Sequence, residues 1–208
     1  MSRGLMALGV ALVLLFLPLQ AANAACDITP FVGASVPTKT LYISTSGPAI
    51  IRNKTHTVYG LAVGTSISGR FGAELVAGAG AGEIELVGTD AIGLASTLLF
   101  ADLRGKVRVA GGDQAHIGLV AGVGYTTQKI GLFDYAKRND TGEFKGKLTG
   151  IAGVSFGAAL SDRLKLSMEI VDRIREQGIV VNGSTTGLVE PTQHDVAITA
   201  GLSFALTK

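Results

Sequence analysis

The chain has 208 residues, enough for one domain, and carries a formal net charge of +2. This balance gives no indication of a nucleic-acid partner or of an acidic partner. Only 16% of the residues are charged, while 47% are hydrophobic and 29 are glycine. Beyond the N-terminal segment no apolar run is long enough for a spanning helix, so the apolar residues must lie in short segments.

The N-terminal segment has the pattern of a secretory signal peptide. Arg3 supplies a positive charge, an almost unbroken apolar run extends from Leu5 to Leu19, and Ala22-Asn23-Ala24 places small residues where a signal peptidase reads them. The run is shorter than the roughly 20 residues needed to cross about 30 Å of hydrocarbon, which disfavours a retained helix. We therefore predict a cleaved signal peptide over residues 1–24 and one exported domain over residues 25–208.

Cys26 is the only cysteine of the chain, so no intramolecular disulfide can form. A cysteine just after a signal peptide can also be a lipidation site. The preceding Asn23-Ala24-Ala25 lacks the large aliphatic residue that lipoprotein processing usually requires. The sequence therefore disfavours lipidation.

From Asp27 onward, apolar residues recur at every second position, which predicts β-strands with two chemically different faces. The pattern is clear in five segments: Thr57–Ile67, Phe71–Ala81, Ile117–Thr127, Leu164–Ile170 and His194–Leu206. It is less regular in three more: Ile28–Val36, roughly Ile92–Leu103, and Leu148–Leu160. Together they predict an all-β fold of about eight strands.

The two faces of these strands indicate which side of the sheet meets lipid. One face carries large apolar residues, and the other carries mainly Gly, Ala, Ser and Thr with the isolated charges Glu74, Lys165 and Glu169. A soluble lipocalin-type barrel also alternates, but it packs its large apolar residues inside. Here the small face is too polar for a dry core, which favours a closed antiparallel up-and-down transmembrane β-barrel.

The connections follow the pattern expected of such a barrel. Short turns at Ser68-Gly69-Arg70, Gly111–Gln114 and Ser161-Asp162-Arg163 alternate with longer polar segments. The longer segments are about Thr38–Lys54, Glu83–Asp90, Gly131–Lys147 and Ile174–Thr192. Short periplasmic turns and long external loops are typical of outer-membrane barrels. With an even number of strands, both ends of the barrel domain are expected on the periplasmic side.

Two groups of residues have predicted positions outside the lumen. Loops around Tyr42, Tyr135 and Asn182 are expected outside the cell. The lipid-facing or interfacial aromatics are predicted to be Tyr59, Phe71, Tyr125, Phe156 and Phe204.

The C-terminal residues Thr199-Ala200-Gly201-Leu202-Ser203-Phe204-Ala205-Leu206 resemble the assembly signal of outer-membrane barrels. Thr199, Gly201, Phe204 and Leu206 hold the places of the polar residue, the glycine and the two hydrophobic or aromatic residues. With Pro30-Phe31-Val32-Gly33 opening the first strand and Ser68–Glu74 forming a turn into the third, the mature chain resembles the small outer-membrane barrels of the OmpA and OmpX type.

This resemblance implies a place in the bacterial outer membrane and contact with its lipid. It also implies recognition by the barrel-insertion machinery, as an added strand. We expect a monomer, and the extracellular ligand cannot be read from the chain. Because the same barrel carries several activities, the resemblance supports fold and location better than function.

The three histidines, His56, His116 and His194, do not favour catalysis. None shows the His-any-Ser pattern of barrel deacylases, and His194 cannot be oriented by Asp195 because consecutive strand residues point to opposite faces. No EF-hand or phosphate-loop spacing is present. We therefore expect no catalytic residue, no cofactor and no metal ligand.

A network of lumen charges is expected from Glu74, Lys165 and Glu169. Lys165 and Glu169 are two strand repeats apart, about 13 Å, so they cannot pair with each other. We expect Lys165 to meet Glu74 or another carboxylate, because an unpaired charge in a narrow lumen is costly. The alternative is a selectivity ring, but side chains just fill an eight-stranded barrel. The predicted function is structural or surface-binding, with a small-solute pore as alternative and a rim enzyme acting on membrane lipid third.

Overall fold

The computed structural model describes residues 26–38, 40–44, 50–87, 91–130, 143–176, 187–188 and 192–206. The strands in these ranges are β1 (Cys26–Pro37), β2 (Thr40–Ser44), β3 (Ile50–Asn53), β4 (His56–Ser66), β5 (Phe71–Val87), β6 (Ala91–Gly111), β7 (Ala115–Ile130), β8 (Glu143–Ala159), β9 (Leu164–Glu176), β10 (Gly187–Leu188) and β11 (Thr192–Ala205). No helix in the described ranges is long and apolar enough to cross a membrane. The predicted signal peptide, Tyr135 and Asn182 lie outside the described residues.

Eight of the strands form a closed antiparallel barrel. Each of β4, β5, β6, β7, β8, β9 and β11 pairs with the barrel strand before it, and β11 pairs back with β1. Closure leaves no edge of the ring without a partner, as a sheet in lipid requires. The prediction of an eight-stranded up-and-down barrel is confirmed.

The strand register fixes the dimensions of this barrel. Following the paired residues once around the ring from Cys26 leads to Val36, so the shear is ten residues. Eight strands with this shear tilt by about 40° and form a backbone cylinder of about 8 Å radius. An interior of this width is filled by side chains and leaves no open channel.

The outer wall of the barrel is apolar. The predicted lipid-facing aromatics are all on this wall, with exposures between 40% and 54%. Phe71, Phe156 and Phe204 lie near the turn end of their strands, whereas Tyr59 and Tyr125 lie toward the loop end. The outward apolar residues span roughly 20–25 Å along the barrel axis, close to the height of a membrane-facing band.

Three short turns join the strands at one end, which we call the turn end, as predicted. The strands are longer at the opposite, loop end than the sequence pattern indicated. The segment Glu83–Asp90 was expected to be a loop, but β5 continues to Val87 and pairs with β6 from Ala91. Outward Glu83 and Glu85 interrupt the apolar pattern because the hairpin has left the apolar band, and Lys54 pairs with both, at 4.0 and 3.3 Å. On this hairpin, charge on the outward face therefore marks the end of the apolar band and not the end of the strand.

The expected loop Thr38–Lys54 also contains strands. β3 pairs with the upper part of β5, β2 pairs with β3, and β10 pairs with β2. Above the barrel β5 loses contact with β4, so its backbone groups need new partners. β3 supplies them, and β2, β3, β10 and the tips of β5 and β6 form a loop-end sheet, which extends the β5 side of the barrel roughly 15 Å beyond the apolar band.

Bulky inward side chains lie beside glycines of neighbouring strands. A Cβ added at any of these glycines would collide with the partner side chain; the pairs are Gly60 with Phe31, Gly78 with Phe100, Gly82 with His56, Gly124 with Asp102, and Gly157 with His116. The narrow cylinder therefore accepts a large side chain only where the opposing position has none.

Candidate functional site

The middle of the barrel contains a buried cluster of six charged side chains, which we call the ion cluster. Alternation along β6 points three of them inward, and β5 and β9 supply the others. The members are Glu74, Asp102, Arg104, Lys106, Glu169 and Arg173. Three carboxylates face three cations, so the cluster carries no net charge.

Arg104 lies at the centre of the ion cluster. Its Nη1 donates to Glu169 Oε2 at 2.8 Å and lies 4.0 Å from Glu74 Oε2, while its Nη2 donates to Asp102 Oδ2. Arg173 Nη2 donates to the same Asp102 oxygen at 2.9 Å. The Arg104 side chain is only 3% exposed. A guanidinium with its five fixed donors can hold several carboxylates in this way.

Lys106 completes the ion cluster on the side of the turn end. Its Nζ donates to Glu74 Oε1 at 2.8 Å and also pairs with Glu169. Each carboxylate therefore has at least one cation, which buried charges require. The arrangement fixes the relative positions of β5, β6 and β9.

An apolar layer covers the ion cluster toward the loop end. The Arg173 guanidinium lies 4.1 Å from the ring centre of Phe100, a cation–π contact, and Phe31 packs on Phe100 with 6.4 Å between ring centres. Val58, Ala62, Val76 and Leu98 pack with Phe100. The sequence analysis predicted a lumen of small and polar residues and was wrong on this point, because these large residues occupy space that glycines such as Gly78 leave free.

Two cavities border the ion cluster, and the larger one lies on the side nearer the turn end. One of about 190 Å³ is lined by polar and charged residues that include Asp27, Glu74, Arg108, His116 and Lys165. A second, of about 20 Å³, lies between the ion cluster and Phe31 and has room for about one water molecule. The larger cavity is thus a polar vestibule that narrows sharply at the ion cluster.

The structure separates the three charges that the sequence grouped as a lumen network. Glu74 and Glu169 belong to the ion cluster, and Lys106 contacts both. Lys165 lies nearer the turn end, where its Nζ is 3.7 Å from Asp27 Oδ2. Lys165 therefore meets another carboxylate and not Glu74.

Four members of the ion cluster were missed by the sequence analysis. Asp102, Arg104 and Lys106 alternate with Leu103, Gly105 and Val107 on β6, which was predicted to end near Leu103. Arg173 follows Glu169 by two strand repeats on β9. Alternation along β6 and β9 is the signal that would have found them, and for Arg104, Lys106 and Arg173 it continues past the predicted strand ends.

Two of the histidines have defined partners. His56 Nδ1 lies 2.9 Å from the Lys54 carbonyl oxygen, so it is the donor there, and Nε2 lies 3.2 Å from Ser96 Oγ. Both His56 and Ser96 are only 3% exposed, and Gln128 also donates to the Ser96 hydroxyl. This contact is therefore part of a buried interior network of His56, Ser96 and Gln128.

His194 and Asp195 point to opposite faces of β11, as the sequence indicated. Asp195 is inside, where Arg175 Nη2 lies 2.9 Å from its Oδ2. His194 is outside, and its Nδ1 lies 2.7 Å from Asp172 Oδ2 on β9. The sequence analysis did not find this orienting carboxylate.

The residues that resemble the assembly signal lie on the last barrel strand. Thr199 and Gly201 are on its inward side, and Phe204 is on the lipid side, 45% exposed. Leu206 follows the strand, and its backbone N–H donates to the Cys26 carbonyl oxygen at 2.8 Å. Within the described part of the chain, no three His, Cys, Asp or Glu side chains come together as a possible metal site.

No protein-family model matches the chain, and no curated protein matches its sequence. Its fold matches solved structures of small bacterial outer-membrane barrels. The crystal structure of outer membrane protein OprG from Pseudomonas aeruginosa has a TM-score of 0.66 and 14% identity over 89% of this chain and 97% of that chain. A major outer membrane protein from Thermus thermophilus has a TM-score of 0.52 and 12% identity over 88% and 99%. Neisserial surface protein A (NspA) has a TM-score of 0.51 and 9% identity over 88% and 97%.

These similarities are to the fold. They confirm the resemblance to small outer-membrane barrels that the sequence predicted.

Proposed function

We propose that this protein is an outer-membrane barrel whose role is structural or surface-binding, exerted through its outer wall and its loop-end sheet. The proposal rests on the distribution of side chains, which is the reverse of that in a soluble barrel. Large apolar residues cover the outside, while the ion cluster lies inside. Such an exterior is stable in lipid and would aggregate in water. The fold of the structural neighbours supports the same location.

A non-catalytic role is part of this proposal. The interior between the ion cluster and the Phe100 layer is packed, which favours activity at the surface over activity in the lumen. The loop-end sheet offers a hydrogen-bonded surface for a partner outside the cell. Extended backbone above the membrane supports recognition by strands and loops.

Heat-modifiability and cell fractionation test the location and the barrel. We expect the protein to fractionate with outer membranes and to run faster on a gel before boiling than after it, because a closed barrel resists detergent. A soluble periplasmic protein without a mobility shift would refute the proposal. Protease treatment of intact cells then shows whether the loop-end sheet faces outward, through cleavage at that end only.

A small-solute pore is the second candidate, and the vestibule of about 190 Å³ at the turn end favours it. Passage would require the ion cluster to rearrange, since Glu74 and Lys106 lie where the vestibule narrows. Planar-bilayer recordings decide between the two functions. A pore predicts conductance steps that Glu74→Gln changes, whereas a sealed barrel gives none in either form.

A further inference from the structure

The vestibule at the turn end has an excess of positive charge. Four cations and two carboxylates line it, namely Arg70, Lys106, Arg108, Lys165, Asp27 and Glu74. Lys106 pairs with Glu74 at 2.8 Å as part of the ion cluster. Lys165 is balanced by Asp27, which lies 3.7 Å away. Arg70 and Arg108 therefore account for the excess of two positive charges.

These two arginines are cross-strand neighbours. The Arg108 backbone N–H donates to the Arg70 carbonyl oxygen at 2.8 Å, one residue beyond the pair of Phe71 with Val107. Phe71 and Val107 face outward, so alternation directs both arginines into the vestibule that they line. Within the described residues Arg70 has no ion-pair partner, and Arg108 has only Asp113, which is 99% exposed and contributes little. Two like charges in this arrangement are destabilising unless an anion compensates them.

A buried hydroxyl lies on the same row of inward positions. Arg108 pairs with Gly118 on β7, and Gly118 pairs with Ser155 on β8. A Cβ added at Gly118 would lie 2.7 Å from Ser155 Oγ, so the hydroxyl lies beside a position without a side chain. Ser155 is only 6% exposed and lines the vestibule, and within the described residues its hydroxyl has no hydrogen-bond partner. Two strand spacings, about 10 Å, separate the backbones of Arg108 and Ser155, which leaves room for an anion between the two side chains.

The size of the vestibule limits the ligand to a small molecule. Its volume is about 190 Å³, and a protein cavity of about 150 Å³ is large enough for benzene. On the far wall Lys165 and Ser203 are cross-strand neighbours, and Ser203 is a second buried hydroxyl without a partner among the described residues. A compact anion in the vestibule is thus within reach of donors from both walls.

We propose that the vestibule binds a small dianionic oxyanion of the phosphate class, held by Arg70 and Arg108, with the Ser155 hydroxyl donating a third hydrogen bond. Guanidinium groups match the geometry of phosphate oxygens, and two charges on the ligand equal the excess on the wall. A monocarboxylate would leave one of these charges uncompensated. Inorganic phosphate and a small phosphate monoester share this chemistry. The site goes beyond the proposed function, since it requires neither the outer wall nor the loop-end sheet to bind a partner.

Calorimetric titration of the folded protein in maltoside micelles tests this site. The ligands are inorganic phosphate, glycerol phosphate and acetate, each exchanged against chloride at constant ionic strength. A pH of about 8 keeps the phosphates doubly charged, since the second pKa of a phosphate monoester is about 6. Arg70→Gln removes one guanidinium, and Ser155→Ala removes the hydroxyl without changing any charge. Arg163→Gln is the matched control, because Arg163 is an exposed arginine of another turn that does not line the vestibule.

We expect the wild type to bind both phosphates saturably and acetate at least about tenfold more weakly. Arg70→Gln should weaken phosphate binding about tenfold, as expected for the loss of one charge-assisted hydrogen bond. Ser155→Ala should weaken it about fivefold, and Arg163→Gln should match the wild type. Tighter binding of glycerol phosphate than of inorganic phosphate would identify an organic phosphate as the ligand, and the reverse order would identify the free ion.

Three results would overturn the site: no saturable phosphate binding by the wild type, equal binding of acetate and phosphate, or equal affinities in Arg70→Gln and Arg163→Gln. The last of these would reduce the effect to general attraction by a positive surface. Gel mobility before boiling verifies the fold of every variant, and Ser155→Ala decides the matter if Arg70→Gln does not fold. A folded barrel that binds no phosphate refutes only this site, whereas a wild-type protein without the gel shift refutes the proposed function.

Discussion

Replacing Arg104 with methionine tests the ion cluster as the element that holds the barrel wall together. The substitution removes the hydrogen bonds to Asp102 and Glu169 and leaves three carboxylates with two cations. Removing one partner from a buried charge network typically costs about 3–5 kcal/mol of unfolding free energy. We expect Arg104→Met to lose stability in this range.

The chain contains no tryptophan, so urea unfolding in detergent is best followed by gel mobility and far-ultraviolet circular dichroism. The double variant Arg104→Met/Glu169→Met restores equal numbers of the two charges and replaces a buried pair with apolar side chains. It should therefore be more stable than the single variant. Arg108→Met is the control, because its partner Asp113 is 99% exposed and solvent screens that pair. Wild-type stability in Arg104→Met, or a double variant no better than the single one, would refute this account.

Three more predictions concern the outer wall, the pairing of β11 with β1, and the apolar layer around Phe100. Leu119→Arg places a cation on the lipid face and should lower the unfolding free energy by about 2–4 kcal/mol if it lies near the bilayer midplane, measured by urea titration in vesicles. Gly201→Ala should reduce the yield of heat-modifiable barrel, because a Cβ there would collide with the backbone carbonyl oxygen of Pro30; a normal yield would contradict this. Phe100→Ala removes the ring that packs on Phe31 and Arg173 and leaves a cavity in the apolar layer, so we expect a loss of about 3–5 kcal/mol of unfolding free energy in the same urea titration, and wild-type stability would contradict this.

Period-two alternation was sufficient to predict the barrel, because the requirement that an outward residue be compatible with lipid applies to each residue separately. Each outward residue must suit lipid wherever its strand lies, so Tyr59 and Phe204 could be assigned to the wall without knowledge of any partner strand. The same reasoning correctly placed Glu74 and Glu169 inside. It was incomplete at β6, where the predicted strand ended near Leu103 and left out the inward residues Arg104 and Lys106.

The contacts inside the barrel could not be predicted in this way. Whether Glu74 meets Lys106 or Lys165 depends on the shear, and a single sequence pattern does not reveal how far neighbouring strands are displaced. The pairing of His194 with Asp172 depends on the register between β11 and β9 in the same way. Only the neighbouring Asp195 was available to the sequence analysis, and it points to the other face.

The pairing of bulky inward residues with glycines has a consequence for how this barrel can change over time. Phe100 needs the empty position at Gly78, and His56 needs the one at Gly82. A Cβ at Gly78 would collide with the Phe100 ring and would also lie 2.7 Å from the backbone carbonyl oxygen of Tyr59, so a smaller residue at position 100 relieves only one of the two contacts. In homologous barrels we therefore expect the glycine to be kept even where Phe100 is replaced by a smaller residue, and a bulky residue at position 100 to occur only beside a glycine.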